Sequence, residues 1–226
     1  MAVNPDKCDP VLGAEVQKYL IEQGIDTPVT ELVKTPNDEK VNKILPALES
    51  FVEDLGLDME DDSLQDTPRR LAKMYVNELT WGLNYDNFPK CTRIENKMDY
   101  SDNFVLERGV TIMSLCEHHF VTIDGLADIA YIPDQYVLGL SKLNRIAQFF
   151  SRRPQVQERL TEQIRHAIQF CAKTEDVAVV IKANHYCVKS RGIQDQNSDT
   201  LTASFGGVFA DVGSDVRKEF LSCCRS

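Results

Sequence analysis

Val110-Thr111-Ile112-Met113-Ser114-Leu115-Cys116-Glu117-His118-His119-Phe120-Val121-Thr122-Ile123-Asp124-Gly125 carries two apolar runs with a Cys-x-x-His step between them. Alternation of apolar and polar residues marks strands, so the pattern from Thr92 to Pro133 reads as antiparallel strands with the polar step near their ends. Asp124-Gly125, lying between Phe120–Ile123 and Ala127–Ile132, reads as a tight turn. A second short segment, His185-Tyr186-Cys187, follows some seventy residues later. Together the two segments hold three of the four histidines and two of the seven cysteines.

Thiolate and imidazole are the ligands that zinc takes in a tetrahedral shell, and a catalytic zinc keeps one position open. Cys116 and His119 are three apart, close enough for both to reach one ion from a strand end. Residues two apart in a strand share a face, so His185 and Cys187 are expected at the same site. Two cysteines and one or more histidines then converge, with histidines to spare for proton transfer. By itself a Cys-x-x-His pair is commonly two ordinary residues, and a free cysteine commonly a small buried hydrophobe. Clustering is what favours a metal.

The chain of 226 residues suits one large domain, or one domain with a smaller appended segment. Its 25 basic and 35 acidic residues give a formal charge of −10, which speaks against general nucleic-acid or anionic-membrane binding. Basic residues gathered locally can still bind an anionic small molecule. No run of eighteen apolar residues occurs, Met1–Lys7 lacks the apolar core of a signal peptide, and seven cysteines form no regular framework. A cytoplasmic protein with reduced thiols is the expectation.

Residues 1–60 read as an acidic helical arm, ahead of a domain over 61–226. Val41, Ile44, Leu45, Leu48, Phe51, Val52 and Leu55 repeat at three and four, and Gly56 ends that helix. Thr67-Pro68 starts another, because proline is tolerated at the first helical position. Arg69 and Arg70 beside it could hold an anion, although paired arginines are more often a solvated surface. Ser141 reads as the N-cap of a helix to about Arg152, and Pro154 as the opening of the next. On that second helix Val156, Leu160, Ile164, Ile168 and Cys171 form the buried stripe. Gln157 and Glu158 fall off it in the first turn, free to face something other than the core, and His166 is expected on the surface. Val177–Ile181 is apolar on both faces and so belongs inside a sheet, with Lys189 and Arg191 continuing its alternation if the strand runs on.

The polar residues near these strand ends and helix starts suggest a chemistry. A helix N-terminus offers free N–H groups to phosphate, here at Ser141-Lys142, with Arg145 one turn on. Arginine adds bidentate pairing to phosphate, as at Arg191. A carboxylate such as Glu158 can accept from an amide-like N–H and an adjacent amino group together. The residues alone therefore reach zinc hydrolysis of a phosphorylated, nitrogen-rich substrate.

Ser114–Phe120, Gly139-Leu140-Ser141-Lys142-Leu143-Asn144-Arg145, Arg153–Thr161 and His185–Gly192 together resemble GTP cyclohydrolase I, in order, over about residues 60 to 210. Thr67-Pro68-Arg69-Arg70 resembles that family's helix leading into the domain. The resemblance implies conversion of GTP to 7,8-dihydroneopterin triphosphate and formate, by hydrolytic opening of the guanine imidazole ring at C8, ribose rearrangement and ring closure. It implies Zn2+ on Cys116, His119 and Cys187, with His118 and His185 as acid–base groups. It places Glu158 on the guanine edge with Gln157 beside it. Ser141, Lys142, Arg191, Arg70 and Arg145 take the triphosphate and ribose, and Ser141 counts among the catalytic groups as well.

The implied fold is α+β, the tunnelling fold (T-fold). It is an antiparallel sheet with helices packed outside and an N-terminal helical arm, and the sheet closes into a barrel in the oligomer. That oligomer is implied to be a homodecamer of two pentamers with intersubunit active sites, without nucleic-acid or membrane partners. Three rivals are a T-fold relative acting on another purine or pterin-like substrate, a nitrile-reducing relative with a cysteine nucleophile, and a non-catalytic zinc-binding protein. The double-histidine motif speaks against the nitrile reducer, and the gathering of Ser141, Lys142, Glu158 and Arg191 against the last.

Overall fold

The computed structural model describes residues 3–101 and 103–224. Three helices come first: α1 (Pro10–Glu22), α2 (Asn37–Asp54) and α3 (Thr67–Lys73), the last running on into a wider π turn over Met74–Leu79. Then come β1 (Arg93–Glu95), β2 (Val105–Cys116), β3 (Thr122–Tyr131), β4 (Tyr136–Leu138), α4 (Leu140–Ser151), β5 (Pro154–Gln155) and α5 (Gln157–Ala172). The chain closes with β6 (Val177–His185), α6 (Tyr186–Lys189), β7 (Thr200–Phe205) and α7 (Asp215–Cys223). No helix among the described residues is long and apolar enough to cross a membrane.

Five strands pair in the order β5-β2-β3-β6-β7, antiparallel except for the short β2–β5 contact, while β1 and β4 form a separate ribbon. One face of the main sheet is covered by α4 and α5. Val110 and Ile112 of β2, Ile123, Ala127 and Ile129 of β3, and Val177, Val179 and Ile181 of β6 meet Leu143, Ile146, Phe149 and Phe150 of α4 and Leu160, Ile164 and Ile168 of α5. The alternate residues Ala178 and Val180 pack with Phe209 and Phe220 on the opposite face, so β6 is buried on both sides, as its composition predicts. Within one subunit the sheet keeps two edges, β5 and β7.

Val16 and Leu20 of α1 enter the main core, whereas α2 packs through Val41 with Ala72 and Val76 in a smaller cluster. The outer stripe of α2 leaves Phe51 and Leu55 exposed. Gly56, at φ +83°, ends the helix region as expected, its N–H donating to the Glu53 carbonyl.

Several local expectations are corrected by long-range pairing. Asp124 and Gly125 lie inside β3, where Gly125 pairs with Ile112 on one side and Ala183 on the other, so no turn forms there. The reversal falls earlier, at Glu117–Phe120. Gly139, not Ser141, is the N-cap of α4, and Ser141 sits in its first turn. Pro154 belongs to β5 beside β2, and α5 begins only at Gln157. The β6 alternation stops at His185, where the chain turns into α6. His166 is tucked in, with its ring against Tyr19 and its nitrogens meeting Tyr19 Oη and Arg165.

Candidate metal centre and active site

Cys116 ends β2 and is buried; the four residues after it form the reversal into β3. The Cys116 carbonyl accepts from the N–H groups of His119 and Phe120, at 3.3 and 2.8 Å, and the Cys116 N–H donates to the Val121 carbonyl at 2.8 Å. Phe120 adopts φ +55°, a left-handed conformation uncommon for a bulky residue. The strain is tolerated because its neighbours close the turn and its ring packs edge-on to Tyr75. The conformation lets the two histidines stand out from the strand end.

The β3–β6 pairing delivers the second segment. His185 lies opposite Ile123, and the helical turn that follows swings Cys187 toward Cys116. Ligand atoms of Cys116, His119 and Cys187 all lie within 4.8 Å of one another. Tetrahedral bonds of ~2.3 Å to sulfur and ~2.0–2.1 Å to nitrogen put ligand atoms roughly 3.5–3.8 Å apart, so small movements would close this group on an ion. Two thiols and one imidazole are a zinc-type donor set with one position left for a water. His118 Nδ1 also lies 4.0 Å from Cys116 Sγ, yet His118 is outside the three-residue group. Burial raises the Cys187 thiol pKa, and the neighbouring Cys116 sulfur raises it further. A cation between the two sulfurs would offset both effects.

Around this group stand further predicted residues. The Arg191 guanidinium contacts His119 Nε2. Glu158 is exposed in the first turn of α5, near enough for its charge to favour the protonated form of His185, whose pKa burial lowers. Gln157, expected to turn away from the core, is buried, and its amide meets His185 Nε2.

Other predicted residues are not brought to the metal group within one subunit. Ser141, Lys142 and Arg145 occupy the first turns of α4, whose Asn144 donates to Glu107 Oε1 at 3.0 Å, near the far end of β2. Eight residues lie between Glu107 and Cys116, one of them taken up by a bulge before Val110, which leaves about 26 Å of strand at ~3.3 Å per residue. Arg145 lines a separate cleft with Lys7, Cys8 and Trp81. Arg70 is exposed on α3 and pairs with Asp66 at 3.5 Å.

Arg159 and Glu117 join the site without a distinguishing pattern of their own in the sequence. Their ion pair ties the metal turn to α5, and the Glu117 N–H donates to the Gln155 carbonyl at 3.0 Å. Both residues lie inside motifs quoted for other members, so the signal was position alone.

The family model for GTP cyclohydrolase I matches residues 44–225. The GTP cyclohydrolase 1 of Mannheimia succiniciproducens is 54% identical over 214 residues, covering 93% of this chain and 97% of that protein. The GTP cyclohydrolase 1 of Haemophilus ducreyi is 54% identical over 215 residues, with 94% and 97% covered. That of Histophilus somni is 52% identical over 208 residues, with 92% and 94% covered.

Proposed function

Because this chain belongs to the GTP cyclohydrolase I family, we propose that Cys116, His119 and Cys187 hold the zinc ion at which it opens GTP. Its activity is that of a GTP cyclohydrolase I. The products in this reading are 7,8-dihydroneopterin triphosphate and formate. The observation that carries the metal assignment is the convergence of two thiols and one imidazole, from two segments distant in sequence, on one point.

Zinc, when bound, supplies a Lewis acid that makes water nucleophilic near neutral pH. The chain's own residues do the rest. His185 exchanges a proton with the purine at N7, which makes C8 electrophilic. His118, whose Nδ1 is 4.0 Å from Cys116 Sγ, serves as the second acid–base group. Glu158, in the exposed first turn of α5, accepts from the guanine ring N–H and its amino group, the pair of donors that a carboxylate matches. Arg191, beside His119, meets the negative charge of the substrate.

Ser141, Lys142, Arg145 and Arg70 are assigned to triphosphate and ribose, with Ser141 also counted among the catalytic groups. The distance along β2 makes the α4 residues unsuited to act on the same substrate as Cys116 of their own subunit. They fit a neighbouring copy, so the active site lies between subunits. In this reading the two free edges, β5 and β7, are closed in a homodecamer of two pentamers, residues 1–60 serve as the helical arm and 61–226 as the catalytic domain. A cytoplasmic location fits reduced cysteines.

The test is formate release from GTP, with metal stripped and then zinc restored. Formate with a new pterin chromophore, lost on chelation and recovered with zinc, is the expected result. A zinc-loaded, assembled protein that releases no formate from GTP would overturn the reading.

A further inference from the structure

Gln157 stands beside Glu158 in sequence but turns the other way. Its side chain is buried, at 2% exposure, and every polar atom it carries is spent inside the subunit. Nε2 lies 3.1 Å from the Ile181 carbonyl, 3.0 Å from the Thr200 carbonyl and 3.0 Å from Thr202 Oγ1. Carbonyl oxygens only accept, so the amide nitrogen must face them and the amide oxygen must face away. That oxygen meets His185 Nε2 at 2.7 Å. An amide oxygen has no hydrogen to give, so Nε2 is the ring nitrogen that carries one.

The hydroxyls behind the amide fix the same direction. Thr161 Oγ1 donates to the Gln157 carbonyl at 2.8 Å, which commits its hydrogen. The contact of 2.7 Å between the Thr161 and Thr202 hydroxyls must then be donated by Thr202. Thr202 therefore turns a lone pair toward Gln157 Nε2. The chain of donors runs one way, from His185 through Gln157 and Thr202 to Thr161.

We propose that Gln157 is a positioning residue for the reaction: it holds His185 with Nε2–H against its amide oxygen and leaves Nδ1 as the nitrogen that exchanges a proton with the purine. This rests on the assignment of His185 as an acid–base group. A positioned proton-transfer group contributes on the order of 10²–10⁴ in rate, and a ring free to rotate loses part of that. Since the amide does not reach the substrate, the loss belongs in kcat and not in KM.

Steady-state kinetics on zinc-loaded, assembled protein tests this with Gln157→Met, His185→Ala and the double variant. Gln157→Met is expected to lower kcat roughly 10–100-fold, with KM for GTP and zinc content unchanged. In the His185→Ala background it is expected to cost nothing further, because a residue that acts through another has no effect once that other is gone. A raised KM at unchanged kcat, or losses that multiply in the double variant, would overturn the proposal. If Gln157→Met does not assemble, Thr202→Val removes one anchor of the amide and asks the same question. Its smaller kcat loss must likewise vanish beside His185→Ala, and a loss that persists there counts against the proposal. Wild-type protein without formate release would sink the underlying function, whereas active wild type with the wrong Gln157 pattern sinks this inference alone.

Discussion

Arg159 in the first turn of α5 forms an ion pair with Glu117, the residue between metal-group Cys116 and catalytic-candidate His118. The pair is largely shielded, and Arg159 Nε is held in turn by Gln155 Oε1 at 3.1 Å. With the Glu117 N–H on the Gln155 carbonyl, the metal turn is fastened by side chain and backbone to one short segment. Outer partners of this kind fix where a ligand points. Glu117→Ala is therefore expected to weaken zinc affinity roughly 10–100-fold, read by competition with a chromophoric chelator. Unchanged affinity would show that the turn holds its shape without the pair.

Gly125 permits the close approach of β3 to β6. A Cβ built there would sit 2.4 Å from the Lys182 carbonyl oxygen and 2.5 Å from the Ala183 Cβ. One of those neighbours is backbone and neither is the tip of a flexible side chain, so Gly125→Ala must push two central strands apart. Overpacking of this kind costs about 1–3 kcal/mol, and the thermal midpoint should fall by several degrees. A midpoint within about one degree of wild type would show that the sheet gives way more easily than its packing implies.

That glycine also shows where the sequence reading stops. Asp-Gly between apolar runs is a turn signal on local grounds, and only pairing with Ile112 and Ala183 overrides it. The long strands, the helices over 37–54, 140–151 and 157–172, and the Cys-x-x-His and His-x-Cys segments were all legible, because each rests on short periodicity or on scarce residue types. Cys187 reached the metal group by a different route from the one its spacing suggested, through a helical turn and not a continued strand. Gln157 lies off the apolar stripe, yet its amide finds strand carbonyls that no helical pattern reveals. The separation of Lys142 from Cys116 is a property of topology and was invisible in the motifs.

Glu162 offers a pH test away from the metal. Its carboxylate is held down to about 2, first by hydrogen bonding to His166, then by Arg165 and Ser204, against the opposing effect of partial burial. A folded-state pKa below the ordinary 4.5 means that the ionised group stabilises the fold above pH 4.5. That contribution is lost as pH falls through about 2. The difference in thermal midpoint between wild type and Glu162→Gln should thus shrink as pH falls below the unfolded-state pKa, where the ion pair of Glu162 with Arg165 and with the protonated His166 is lost. A difference that instead grows below that pKa would contradict the assignment. Glu162 lies outside the group of Cys116, His119 and Cys187, so the comparison addresses the carboxylate itself.

The proposed division of the site between subunits can be tested by mixing two variant proteins. Cys187→Ala removes a proposed metal ligand, and Lys142→Ala removes a cation from the first turn of α4, at the other end of β2. Each alone is expected to have little activity. If one subunit supplies the metal and its neighbour supplies Lys142, a randomly mixed assembly contains sites with both intact parts. The metal side must come from a Lys142→Ala chain and the phosphate side from a Cys187→Ala chain, which random mixing allows at roughly a quarter of sites in a closed ring of identical interfaces. If both parts come from one chain, no site is ever whole and mixing recovers nothing. Co-expression of the two variants, with formate release measured per assembled subunit, separates these cases. Recovery near a quarter of wild-type turnover is the result expected from about 26 Å of strand between Glu107 and Cys116. Recovery indistinguishable from the separate variants would place the whole site within one chain.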